Sequence, residues 1–318
     1  MSFYEGQKVL VTGGTGFVGS WFVDSLLSKG AFVRTTTHIR KPHRTHEKLD
    51  GFQADLTIQE EANRACEGID YVFHAAGAVS AAGVTNASNP LSPITENLVL
   101  TSRVLQAAWS QKVKRILLFS SSTGYPEFDH PVKEDDFWSG ETHPSYFGYG
   151  WMRRYLERIA EFAYQRSDME VALCRPTAVF GERDNFDPAT SHVIPALIRR
   201  AVAKENPFIV WGAQNITRDF LHIQDLVEGC LQLLEKCPTC DPVNIGYGKT
   251  TTISEIVGYI LQGSGHESAK VEFDESKPTT IPFRSVNVDK AKSLLNFEPS
   301  ISLKDGLKRT IDWYCDNR

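Results

Sequence analysis

The chain has 318 residues and a formal net charge of -5. That length supports one α/β domain with a smaller lobe. The acidic balance argues against nucleic acid as a partner, because no Lys/Arg block is present to neutralise a run of phosphates. No apolar stretch approaches the ~18 residues of a membrane span, and residues 1–8 are too polar for a signal peptide, so a soluble, cytoplasmic protein is expected.

In chain order, an apolar run from Lys8 to Thr12 reads as a buried strand, and Phe17 to Ser28 as a helix. Between them the glycines follow two overlapping spacings, Gly14-x-Gly16-x-x-Gly19 and Gly13-x-x-Gly16-x-x-Gly19. Glycine is needed there so that the chain can turn sharply, approach a pyrophosphate and pack helix on strand. The N–H groups of Phe17 and Val18 at the helix start then face the phosphates. A strand follows at Phe32 to Thr37, with His38 to Lys41 beyond it. No acid stands there to bind a ribose 2′-hydroxyl, whereas Arg34, Arg40 and Lys41 are cations for a 2′-phosphate, so NADP(H) is slightly favoured over NAD(H). The bland alternative is a solvated basic loop. Asp55 and Leu56, after a short strand, are expected against the adenine. Ala75 and Ala76 after His74 give small residues where the chain passes the phosphates, and His74 itself reads as a packed neighbour.

Strands recur at 70–74, 115–119 and 170–174, each after an amphipathic segment, which predicts a doubly wound parallel (Rossmann) sheet. Beyond Pro176, itself expected beside the cofactor, the rhythm breaks. Helices are expected at 195–203, 226–235, 253–262 and 303–315, with a strand at 208–211. The division is therefore a dinucleotide-binding domain over 1–176 and a smaller α/β lobe over 177–318, with roughly 219–246 returning to the first domain. The six cysteines suit reduced thiols. Cys237 and Cys240 have the spacing of half a zinc site, but no second Cys/His pair accompanies them, so no metal is expected.

Two features carry the chemistry. The run Ser120 to Thr123 follows a strand end, where hydroxyls can bond a substrate oxygen; the alternative is a polar loop. Tyr149 and Arg153 are four residues apart and share a helix face. A cation beside a phenol favours its ionised form. Such a phenol can exchange a proton with a substrate hydroxyl or ketone while a nicotinamide carries the hydride. Alone the pair is commonplace on helices; its weight comes from the glycine turn and the serines.

With these residues the chain resembles the extended short-chain dehydrogenase/reductases (NAD-dependent epimerase/dehydratase family) that act on nucleotide sugars, and among them the GDP-L-fucose synthases. The N-terminal glycines, the Val113 to Ile116 run into the serines, Tyr125-Pro126, Asp184-Asn185-Phe186, Ser191 to Arg200, Trp211-Gly212, Arg218 to His222 and Ser276-Lys277-Pro278 carry the likeness nearly end to end. The resemblance implies Ser121 as catalytic serine with Ser122 beside the substrate, Tyr149 as catalytic tyrosine, and His192 as the epimerisation acid next to Val193. It implies Arg200, Trp211 and Arg218 around the nucleotide diphosphate, Arg284 on a family lysine near the sugar, and a nucleotide-sugar-binding C-terminal lobe.

Three departures are visible. Arg153 replaces the family's lysine, Ala178 replaces a substrate-contacting asparagine, and Thr123 replaces the epimerisation cysteine. An ordinary hydroxyl is far too weak an acid to stand in for a thiol as base. The expected activity is hydride transfer at C4 of a nucleotide-linked sugar, GDP-linked by resemblance, with little or partial epimerisation. A 4-epimerase or 4-dehydrogenase that retains NAD is the enzymatic alternative, and a decayed dinucleotide-binding regulator the non-enzymatic one. Helices over 98–109 and 152–164 carry apolar residues on more than one face, and the family pairs through them, so a homodimer is expected.

Overall fold

The computed structural model describes residues 2–38, 40–78, 89–277 and 281–318; Pro278 of the family-like run lies outside them. The first half alternates strands and helices, except that β3 follows β2 directly. It runs through β1 (Lys8–Thr12), α1 (Phe17–Ser28), β2 (Phe32–Thr37), β3 (Leu49–Gln53), α2 (Gln59–Cys66), β4 (Tyr71–His74), α3 (Ser92–Ser110), β5 (Arg115–Phe119), α4 (Phe147–Arg166) and β6 (Glu170–Pro176). The second half holds β7 (Ala178–Phe180), α5 (Val193–Val202), β8 (Phe208–Trp211), β9 (Thr217–Arg218), β10 (Phe220–His222), α6 (Ile223–Lys236) and β11 (Val243–Ile245). Then come β12 (Thr251–Thr252), α7 (Ile253–Gly263), β13 (Val271–Asp274), β14 (Phe283–Arg284), α8 (Asp289–Leu295) and α9 (Leu303–Asn317).

Seven parallel strands form the main sheet in the order β11-β6-β5-β4-β1-β2-β3. Its inner strands β1, β4, β5 and β6 are apolar on both sides because both faces are covered, whereas the edge strand β3 is largely exposed. Val9 and Val11 of β1 face α1 and α6, with Phe22, Leu26, Leu226 and Leu233 in one core. Leu10, between them, points to the opposite core with Ala62, Val104 and Ala160 of α2, α3 and α4. The strand order reverses between β1 and β4, so a crevice opens at their carboxyl ends.

The C-terminal lobe is built from α5, α7, α9 and short strand pairs around Phe180, Ile198, Phe208 and Ile256. The chain returns to the main sheet through α6 and β11, where Val243 to Ile245 pair with Cys174 to Pro176. It returns again through α8: Ala291, Leu295 and Phe297 belong to the core of α1 and α6. That second return was not anticipated, since α8 has only seven residues and two buried positions.

All six cysteines are free thiols, and among the described residues no group of His, Cys, Asp or Glu could hold a metal ion. No described helix is long and apolar enough to cross a membrane.

Candidate active site

The crevice begins at the glycine turn, and steric contact explains the glycines. Gly13 sits at φ +68°, and a Cβ there would lie 2.7 Å from the Cα of Ala76. A Cβ on Gly14 would collide with the Thr35 hydroxyl, and one on Gly19 with the Gly13 carbonyl. The turn is fixed from the next strand, because the Thr36 hydroxyl accepts the Gly13 N–H at 3.0 Å. Gly16 caps α1 without any side chain on the first-turn N–H groups, and no acid sits in that turn. A helix N-terminus left bare in this way fits an anionic phosphate. The cradle therefore fits a dinucleotide, with Phe17 and Val18 at the helix start.

The strip Ala75 to Ala78 beside it is held by Asn97 of α3, which donates to the Ala78 carbonyl at 2.8 Å and accepts the Ala78 N–H at 3.1 Å. His74 is buried between the hydroxyls of Thr12 and Thr101, at 2.8 and 3.1 Å, and burial pushes its pKa down to about 3. It is a neutral structural group.

At the adenosine end the structure corrects one expectation. Arg34 lies in the middle of β2 and its guanidinium is already engaged by Asp50 and by the carbonyls of Arg64, Ala65 and Glu67 at the end of α2. It is a cap for that helix and not a phosphate ligand. Arg40 and Lys41 stand exposed beyond β2. Asp55 uses one carboxylate oxygen to accept the N–H and hydroxyl of Thr57, which holds its pKa below the ordinary range, and Leu56 is buried.

The chemical residues converge on the ends of β5 and β6. Helix α4 starts at Phe147, earlier than the pattern suggested, so Tyr149 and Arg153 both lie on it. Arg153 donates to the Tyr149 phenol oxygen at 2.9 Å and to the Phe119 carbonyl at 2.8 Å, and its guanidinium lies 5.0 Å from the phenol ring centre. The strand end thus fixes the cation, and the cation fixes the phenol. Gly150 lets the helix press against the loop after β5, since a Cβ there would meet the Thr123 carbonyl at 2.6 Å. In that loop Ser121 caps a short 3-10 turn, accepting the Thr123 N–H at 3.1 Å and the Thr123 hydroxyl at 2.9 Å. Two bonds accepted leave the Ser121 proton as a donor for a ligand oxygen. Thr123, by contrast, directs its proton at Ser121. Ser122 is buried and lines a narrow cleft with Arg284. Pro176 ends β6.

In the C-terminal lobe, His192 stands at the N-cap of α5 and Val193 begins it, 41% exposed. His192 keeps solvent-exposed surface, and partial desolvation lowers its pKa. Arg200 has its Nε 2.6 Å from Glu205, so part of its charge is already balanced. Trp211, 65% exposed at the end of β8, presents a free ring face with the Lys277 amine 5.7 Å from its centre. Arg218 and Arg284 are register partners on β9 and β14, so two guanidinium groups stand side by side.

A family model described as the NAD dependent epimerase/dehydratase family matches residues 9–246. The chain belongs to this family. It is 32% identical over 320 residues to the putative GDP-L-fucose synthase 2 of Arabidopsis thaliana, covering 98% of this chain and 93% of that one. It is 28% identical over 324 residues to a dTDP-4-dehydro-6-deoxy-D-allose reductase of Streptomyces bikiniensis, covering 98% and 97%. Among solved structures, the epimerase Mth375 of Methanothermobacter thermautotrophicus superposes with a TM-score of 0.86 at 25% identity, covering 99% of this chain and 94% of that one.

Sequence reasoning overlooked Thr36 and Asn97, which shape the cradle. The available signal for Asn97 was its place at helical spacing from Thr101, Val104, Leu105 and Ala108 on the buried face of α3.

Proposed function

We propose that this chain transfers hydride between NADP(H) and C4 of a nucleotide-linked hexose or 4-keto-6-deoxy sugar, GDP-linked by its likeness to GDP-L-fucose synthases, inverting at most one carbon centre. The observation that carries this reading is the Tyr149–Arg153 bond of 2.9 Å beside a glycine cradle at the ends of β1 and β4. The relatives, by name synthases and reductases of deoxysugar nucleotides, favour the same chemistry.

The residues for the cofactor are Gly13, Gly16, Phe17, Val18 and Gly19 at the pyrophosphate, Ala75, Ala76 and Pro176 along its length, and Arg40, Asp55 and Leu56 at the adenosine. Arg40 and Lys41 without an acid beside them favour the 2′-phosphate form. When bound, the nicotinamide supplies the hydride. The protein does the rest. Ser121 donates to the C4 oxygen and orients it. Tyr149 gives that oxygen its proton during reduction, or removes it during oxidation. Arg153 stabilises the phenolate left behind. Arg200, Arg218 and Trp211 hold the nucleoside diphosphate, and Arg284 and Ser122 the sugar side.

Epimerisation beside a ketone needs one group to take a carbon-bound proton and another to return it from the opposite face. His192 can serve once; Thr123 supplies no second group. A panel of nucleoside-diphosphate 4-keto sugars, assayed by NADPH consumption in D₂O, tests the whole reading. Turnover with deuterium from solvent on no more than one sugar carbon is expected. Deuterium at both C3 and C5 would overturn the limit on epimerisation. Purified protein that holds an absorbing cofactor and inverts C4 without consuming NADPH would instead make it an NAD-retaining 4-epimerase.

We also propose a homodimer through α3 and α4. Val99 and Trp109 on α3, and Tyr155 and Phe162 on α4, are 38–57% exposed, an apolar face larger than one helix stripe needs. Light scattering should give twice the chain mass of 35.6 kDa at micromolar concentration, and Phe162→Glu should return the monomer mass. A wild-type monomer would exclude this assembly.

A further inference from the structure

Three residues before Tyr149 stands a second phenol with no assigned role. Tyr146 closes the 3-10 turn that feeds α4 and is 7% exposed. Its own helix offers it no cation, since Gly150 occupies the position one turn on. The cation comes from the other lobe: the Arg284 guanidinium lies 4.1 Å from the Tyr146 ring centre.

Arg284 is an unusual group to bury. Its register partner is Arg218, so like charges adjoin on neighbouring strands, an arrangement that is destabilising by itself. Burial pushes both guanidinium groups below the ordinary arginine range, Arg218 to about 10. No carboxylate pairs with Arg284 among the described residues, and its Nη2 is buried without a hydrogen-bond partner. What lies against its charge is Tyr146, whose ring face attracts a cation more strongly when water is absent and whose hydroxyl also interacts with the guanidinium. Arg218 is fixed differently, through the carbonyls of Thr217 and Pro282.

We propose that Tyr146 is a positioning residue that holds Arg284 in place on the sugar side of the substrate, against the phosphate that carries the sugar, and so sets that anion at a fixed distance from Tyr149 on the helix that Tyr146 leads into. The inference rests on the nucleotide-sugar reading above. Tyr146 touches no reacting atom; it acts through Arg284. Its contribution is to affinity and not to the chemical step.

The test uses the holoenzyme with NADP⁺ bound and GDP, UDP and dTDP as calorimetric probes. Tyr146→Leu and Tyr146→Met should each weaken the nucleoside diphosphate that the wild type binds by about tenfold, the loss of a desolvated cation–π contact. KM for the nucleotide sugar should rise in parallel, with kcat within about threefold. Tyr146→Phe, which keeps the ring face, should stay within about threefold in Kd. In an Arg284→Met background, Tyr146→Leu should weaken binding no further, because the two residues act as one unit. Unchanged Kd in whichever of the Leu and Met variants folds, or an equal loss in the Arg284→Met background, overturns the role of Tyr146 alone. A wild-type chain that binds none of the three probes overturns the nucleotide-sugar reading and this inference with it.

Discussion

Tyr149→Phe is expected to lower kcat by about 10²-fold or more, the usual contribution of a positioned acid–base group. The substitution is conservative everywhere except at the oxygen. The ring that packs 5.0 Å from the Arg153 guanidinium remains, and so does the bond from Arg153 to the Phe119 carbonyl. What disappears is the one hydroxyl held at 2.9 Å by that guanidinium. Dinucleotide affinity, followed by quenching of protein fluorescence, should change by less than about threefold, because the glycine cradle is untouched. A loss confined to kcat is the signature of an interaction made only in the transition state. Tyr146→Phe is the matched control: it deletes a phenol oxygen one helical turn away and should leave kcat nearly intact. If the two variants exchanged their effects, Tyr146 would be the acid, and the geometry at Arg153 would need another explanation.

The parts legible in the sequence are those set by local pattern. The strand–glycine–helix turn was readable because its glycines fall at fixed spacing between a strand and a helix; close backbone approach requires Gly13 and Gly19, and the Thr35 and Val23 side chains require Gly14. The Tyr149–Arg153 pair was readable because helical spacing alone brings i and i+4 together. The start of α4 was misplaced because Phe147, Gly148 and Gly150 carry little helical preference, and tertiary contact with the loop after β5 decides the matter.

Contacts between distant parts of the chain left no such trace. Arg34 reads as a free cation from sequence, yet the carbonyls of a helix end thirty residues on capture it. Tyr146 has no cation at helical spacing in the sequence; β14 delivers Arg284 to it from the other lobe. Helix α8 shows too few apolar positions for its docking beneath α6 to be foreseen.

The least legible feature is also the one whose removal should cost the fold most. Arg175 interrupts the apolar β6 one residue before Pro176 and donates to both oxygens of Glu157 on α4, at 2.8 and 2.7 Å. Their side chains are only 2% and 6% exposed. The same guanidinium donates to the Tyr125 hydroxyl and the Glu134 carbonyl, and Tyr125 donates onward to Asn244 at 2.6 Å. Burial opposes the Arg175 charge, but the bonds and charge of Glu157 outweigh it and raise the Arg175 pKa above its ordinary value. Glu157→Ala would strand a guanidinium that cannot shed its proton, at a cost of about 3–5 kcal/mol. Urea unfolding should show the midpoint falling with the slope unchanged. Glu157→Gln, which keeps one acceptor, should cost less. The pair need not be the most stable filling of its site, because well-packed apolar residues often equal or surpass a buried ion pair. The double variant Glu157→Leu with Arg175→Met should therefore recover much of what Glu157→Ala loses, while Tyr125, left without the guanidinium, positions the loop carrying Ser121 less firmly. A cost below about 1 kcal/mol for Glu157→Ala would mean that water reaches Arg175, and that the network between β6, α4 and the serine loop is not closed.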